Sequence, residues 1–232
     1  KKAIIESKVH SVSNNSFYGC AALTELVISS GVNSVDDYAF SNCTSLESVI
    51  ISDGLTSIGE NAFSSCTSLR NLTIPNSVAS IGSGAFWDCS SLNTVSLSSN
   101  MKTIKARTFY SCTSLESIEI PVGITSIGSE AFFNCTALKN IDLPNSITAI
   151  GDNAFSSTGL TEIVIPEGVT TIERRMFYDC PSLSKIVIPR SVTSIEDNVF
   201  YMCKNLNSIH GYSNTFAETW ANSNGYTFVA ID

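Results

Sequence analysis

The chain has 232 residues, of which 43% are apolar and only 15% charged. That length is one large domain or two small ones with a sizeable core. With Ser, Thr and Asn where charges usually stand, the composition leans toward an extracellular protein. A net charge of −8 without a basic run argues against nucleic acid or anionic membrane as partners, and no apolar run reaches the ~18 residues of a membrane span, so membrane insertion is not expected.

From the N-terminus, the opening KKAIIESKVHSV lacks the apolar run and cleavage site of an export signal. Ala3 and Ile5 fall where the inward residues of a strand belong, so the chain starts in mid-pattern and reads as a mature or trimmed region of something longer. One unit then recurs. Phenylalanine stands at 17, 40, 63, 86, 109, 132, 155, 177 and 200, in steps of 23 with one of 22. Leucine follows each Phe by six residues, except Leu160, which follows Phe155 by five; an aliphatic residue precedes each by five, from Val12 to Ile195.

Each unit begins with alternation. In LTEIVIP, Ile163 and Ile165 point one way and Glu162 and Val164 the other, which is the period of a short strand. Pro166 ends it, as Pro75, Pro121, Pro144 and Pro189 do in their coils. A second extended piece such as SVTSIG follows. In GENAFSSCTSL the apolar residues lie three and four apart, which predicts a turn of helix. Gly59, Gly82, Gly128 and Gly151 stand before it and are expected to ease a corner.

A unit of ~23 residues cannot bury its own apolar side, but stacked units cover one another. At ~4.8 Å per strand, nine coils give a body roughly 40–45 Å long, with the Phe rings as a spine. After Ile209 the pattern stops. TFAETWANSNG predicts a helix with Phe216, Ala217, Trp220 and Ala221 on one face and Gly225 at its C-terminal end. YTFVAID reads as a last strand, and Trp220 is placed to cover the last Phe. The expected organisation is a solenoid of about nine coils over 1–211, the first partial, and a helix–strand cap over 212–232.

The strand L-x-x-I-x-I with a short return, in the form IPxSVTSIGxxAFxxCxxL, closely resembles the BspA-type leucine-rich repeats of bacterial surface proteins, over roughly residues 3 to 211. The resemblance implies a right-handed, curved leucine-rich-repeat solenoid with a parallel β-ladder on its concave face and short helical or 3-10 turns on the return side. It also implies a secreted or cell-surface protein of adhesion type, from a bacterium that lives with a host.

All eight cysteines follow a Phe by three residues, and position 158 holds Thr instead. In one inward column they read first as buried thiols; neighbour-to-neighbour disulfides and a metal site are the alternatives, although parallel side chains present the wrong vector for a disulfide. A second column, Ser34, Ser57, Ser80, Thr103, Ser126, Thr171 and Ser194, broken by Ala149, reads as a hydroxyl ladder between coils. Asp36 and Asp37 read as a solvated corner.

Catalytic patterns are scarce. His10 and His210 lie in the first and last coils and cannot act together, and no phosphate loop, H-E-x-x-H or G-x-S-x-G motif occurs. Glu119 and Asp142, on adjacent expected strands, match a retaining glycosidase pair in distance alone. No enzyme activity and no cofactor is expected. The outward strand residues form two columns on the concave face. Asn71, Thr94, Ser117, Asn140, Glu162 and Lys185 make one; Thr73, Ser96, Glu119, Asp142, Val164 and Val187 make the other. They are the candidate binding surface for a protein ligand, such as a host extracellular-matrix or cell-surface protein, engaged by a monomer. The alternative reading is a spacer that presents other domains of a longer surface protein.

Overall fold

A computed structural model describes residues 1–231. It is a parallel β-solenoid in which every coil but the one at 140–142 carries a strand of three or four residues, followed by a two-residue second strand and a run of turns. Six main strands pair in order from Lys2–Ile5 to Ser117–Glu119, and four more from Glu162–Val164 to Thr227–Ala230. Register is that of the repeat: Asn71 lies beside Thr94 and Thr94 beside Ser117. Inward residues such as Leu72, Ile118 and Ile163 are buried and outward ones exposed, as the alternation requires.

Between these blocks the main sheet is interrupted. Residues 140–142, where a strand carrying Asn140 and Asp142 was expected, form none, although Ile141 is still buried. The next coil is the one with the missing residue between Phe155 and Leu160. Its hydrogen bond to the 140 coil, from Thr161 N–H to the Lys139 carbonyl at 3.0 Å, joins the residues after Leu160 and Leu138 as in other coils, and no backbone pairing follows it to Leu143 among the described residues.

The spine is as expected. Successive Phe rings stack at 4.9 to 6.0 Å with planes within 16° of parallel. Phe40 through Phe177 are fully buried. Trp220 meets Phe200 edge-on at 5.8 Å and stacks on Tyr226, whose ring also meets Phe200 edge-on. The helix Phe216–Ser223 buries Ala217 and Ala221, but Phe216 is exposed rather than on the packed face. Its C-cap is Asn224, followed by Gly225 at φ +80°. The strand Thr227–Ala230 then pairs parallel with Ser208–Gly211.

The return segment is not helical. Two residues per coil, two before and two after each Phe, sit in the left-handed region: Asn15 and Gly19, Tyr38 and Asn42, and so on to Asn198 and Met202. A left-handed residue stops a helix, and the segment becomes linked β-turns. Amides alternate in use. Two adjacent residues illustrate this: Ser41 N–H closes a turn onto the Tyr38 carbonyl, while Phe40 N–H donates to the Ala62 carbonyl of the next coil at 2.8 Å. The bond from Phe N–H to the next coil recurs from Phe17 to Phe177 at 2.8 to 3.2 Å. The three-and-four spacing of Ala, Phe and Cys fits this ribbon as well as a helix, which is why the sequence misled.

Other expectations shift in detail. The glycines before the Phe segment have no positive φ; a Cβ on Gly82 would collide with the Glu60 nitrogen, so they permit close approach of coils. The hydroxyl ladder sits one residue earlier than expected, where Thr56, Thr125, Thr148 and Thr193 Oγ1 donate to carbonyls of the preceding coil. In the expected column Ser34 bonds Ser11 at 2.9 Å. The Asp36–Asp37 corner is structural: Asp36 accepts from Ser11 and Ser34, and Asp37 Oδ1 from Glu60 N–H.

Candidate interaction surface

The predicted surface residues fall into two groups. Asn71, Thr73, Thr94, Ser96, Ser117 and Glu119 share one sheet in continuous register. Thr94 Oγ1 donates to Asn71 Oδ1 at 2.7 Å, so this column is partly satisfied within the sheet. Glu162, Val164, Lys185 and Val187 share the second sheet, where Glu162 faces Lys185 with a charge separation of 3.9 Å. Both members of that pair are half-exposed, so it adds little stability. Asn140 and Asp142 are exposed but belong to neither sheet. The Glu119–Asp142 strand pair is therefore not formed. Open grooves of about 610 and 480 Å³ flank residues 140–143, on the Glu119 side and the Glu162 side. Apolar side chains stand out at both ends of the face, Ile50 at 59% and Val164 at 61% exposure.

The cysteine column is a structural element. Cys43, Cys66, Cys89, Cys112, Cys135, Cys180 and Cys203 are buried thiols, each donating to the carbonyl of the Phe in the preceding coil at 2.9 to 3.3 Å. Cys20 departs from the expected inward position and is exposed. Burial pushes the Cys43 thiol up to about 11 and those of Cys89 and Cys135 up to about 12. Such thiols are protonated at neutral pH and are poor nucleophiles. His10 and His210 stand at opposite ends of the array. The His210 ring lies 3.2 Å from Ser208 Oγ.

A second feature was missed in the sequence. Of the residues that follow a Phe on the return side, Ser41, Ser64 and Ser156 are buried, and five others bring aromatic side chains into line. Trp87, Tyr110 and Phe133 follow one another at 5.1 and 4.7 Å, and Tyr178 and Tyr201 at 5.4 Å. Arg107 lies 5.7 Å from the Trp87 ring centre and Arg175 5.5 Å from that of Tyr178. The signal was present, since the letter after F in each repeat reads Y, S, S, W, Y, F, S, Y, Y.

Parallel coils with a Leu/Ile core, a Phe spine and a strand face define the leucine-rich-repeat class of solenoid. A profile of the BspA type leucine rich repeat region matches residues 1–114 and 102–226 with six copies, and the chain belongs to that family. It is similar to a leucine-rich repeat protein from Bacteroides ovatus, at 28% identity over 99% of this chain and 69% of that one, with a TM-score of 0.79. A leucine rich repeat protein of T. pallidum shares the fold at 22% identity, covering 98% of this chain and 85% of that one, with a TM-score of 0.53. One from Eubacterium ventriosum does so at 22% identity, covering 90% and 72%, with a TM-score of 0.51. No curated protein matches the chain. The family's repeats are generally non-enzymatic and serve protein interaction.

Proposed function

We propose that this chain is a non-enzymatic, adhesion-type binding module of a secreted or cell-surface bacterial protein, and that it engages a protein ligand as a monomer through its sheet face. The observation that carries the reading is the face itself: two columns of outward side chains fixed in register, polar in the middle and flanked by exposed Ile50 and Val164. Apolar anchors in a polar surround are what a protein partner uses. Among the predicted residues, Asn71, Thr73, Thr94, Ser96, Ser117 and Glu119 form one half of the surface and Glu162, Val164, Lys185 and Val187 the other, with Asn140 and Asp142 between them. The chemistry of the chain supports a non-catalytic role, because the thiols are held on carbonyls and the histidines are far apart.

The test is binding of the purified chain to immobilised extracellular-matrix proteins, with Val164→Glu and Glu119→Lys beside the wild type and folding checked by circular dichroism. Saturable binding that either folded variant loses is the expected result. Binding intact in both moves the site off this face. No binding to any surface favours a spacer that presents other domains.

A further inference from the structure

The corner where each coil enters its Phe segment carries a groove on a different face from the sheet. It has a volume of about 310 Å³ and runs along the array from Glu60 to Arg174. That is six coils, or about 24 Å at ~4.8 Å per step. The volume is at the low end of small-ligand sites, and the shape is that of a shallow linear track.

Three observations limit what fits. First, one aromatic ring, that of Trp87, lines the groove, with Arg107 Cζ 5.7 Å from its centre. Trp87, 37% exposed, is tilted by 50° from Tyr110, whereas Tyr110 and Phe133 lie within 11° of parallel. The preceding coil has Ser64 at the equivalent position, so no ring covers that side of the indole. Gly84, at φ +63°, makes room for the Asn61 side chain, since a Cβ there would collide with Asn61 Oδ1. Second, the backbone amides along the groove fall in two rows, of which only one is used within the chain. Those of Asn61, Gly84, Arg107, Glu130 and Asn153 all donate to carbonyls of the next coil at 2.9 to 3.1 Å. Those of Ser83, Ala106, Ser129 and Asp152 make no bond within the chain and are free to donate to ligand oxygens. Third, four of the five charged side chains lining the groove are paired with one another, Glu60 being the fifth. Arg107 Nε donates to Glu130, and Arg174 lies 3.7 Å from Asp152. Binding a charged ligand would require breaking these pairs. What remains are small polar groups that both donate and accept, such as the Ser83 and Ser129 hydroxyls and the Asn153 carboxamide.

A ligand with an apolar face for an indole, many hydroxyls of both hydrogen-bonding senses, no net charge and a linear form is a saccharide chain. We propose that this groove binds a neutral, linear oligosaccharide, with one sugar ring stacked on Trp87 and the following units along Arg107, Glu130 and Asn153. The proposal is independent of the sheet-face reading, because the two surfaces share no residue.

The test is isothermal titration of the whole chain with neutral tetrasaccharides built from glucose, mannose, xylose and N-acetylglucosamine, and with sialyllactose and inorganic phosphate as charged probes. At least one neutral tetrasaccharide is expected to bind with a Kd of about 1 mM or tighter. Trp87→Ala should weaken it by about tenfold or more, through loss of the stacked ring. Asn153→Ala, a surface change at the other end of the groove, should weaken it by a smaller factor, and Val164→Glu should leave it unchanged. Failure of every neutral probe to bind at ~10 mM overturns the proposal. So does binding confined to the charged probes, or binding that both folded groove variants retain in full.

Discussion

The sheet side and the return side of this solenoid are built from the same coils, yet they respond differently to one irregular coil. On the return side the bond from Phe N–H to the next coil runs unbroken from Phe17 to Phe177, through the 22-residue step. On the sheet side pairing thins to the single Ser48–Asn71 match between two strands, and stops at 140–142. The return ribbon is fixed by two left-handed residues and a buried ring in every coil, so each coil meets the next in one way. A three-residue strand has only its alternation to set register. At 140–142 alternation keeps Ile141 inward although the backbone pairs with neither neighbouring strand.

The strongest way to break this comparison is to remove a spine ring. Phe109→Ala should cost ~3–5 kcal/mol by leaving a cavity, because Phe109 is fully buried between Phe86 and Phe132. Urea unfolding measures it, and a change below ~1 kcal/mol would remove the spine from the account.

Alkaline titration probes the cysteine column beside the spine. The folded thiols of Cys89 and Cys135 stand at about 12 against an ordinary 9.0, so protons stay on in the folded state after the unfolded state has lost them. Their contribution is therefore complete below pH 9 and is lost as pH rises toward 12. The thermal midpoint should fall across that window, less steeply in Cys89→Ala. At neutral pH, iodoacetamide should label Cys20 in the native chain and the buried thiols only after unfolding.

Hydrogen exchange sharpens the contrast directly. Amides of residues 140–143 should exchange at least ~10-fold faster than those of Glu130, Phe132 and Asn134, which donate to the next coil in the same region. Equal protection would mean that the sheet is continuous in solution.

The smallest effect concerns the left-handed positions. Met202, exposed and at φ +67°, occupies a conformation that asparagine adopts more readily. Met202→Asn should stabilise by about 0.5–1 kcal/mol, read as a rise in the urea midpoint.

Much of this was legible beforehand, for identifiable reasons. Phe, Leu and the strand aliphatics repeat at fixed offsets, and a core position tolerates few residue types, so Phe109, Leu115 and Ile118 announce their burial by spacing. The candidate surface was legible only as columns: Asn71, Thr94 and Ser117 were placed correctly because their neighbours obey the 23-residue step. Asn140 and Asp142 were misplaced, because the sequence around them keeps the 23-residue step and carries no sign of the break in the sheet. The return turns were misread because spacings of three and four do not distinguish a helix from linked turns, whereas backbone φ does.

The sequence by itself determined the repeat, its register and its inward face, because stacking identical coils leaves one way to bury each ring. The tertiary structure decided which backbone groups pair between coils, where the sheet parts, and that Trp87, Tyr110 and Phe133 come into line with Trp87 on a groove. Those outcomes depend on the left-handed turns and on how one coil meets the next, and neither is encoded in the apolar period.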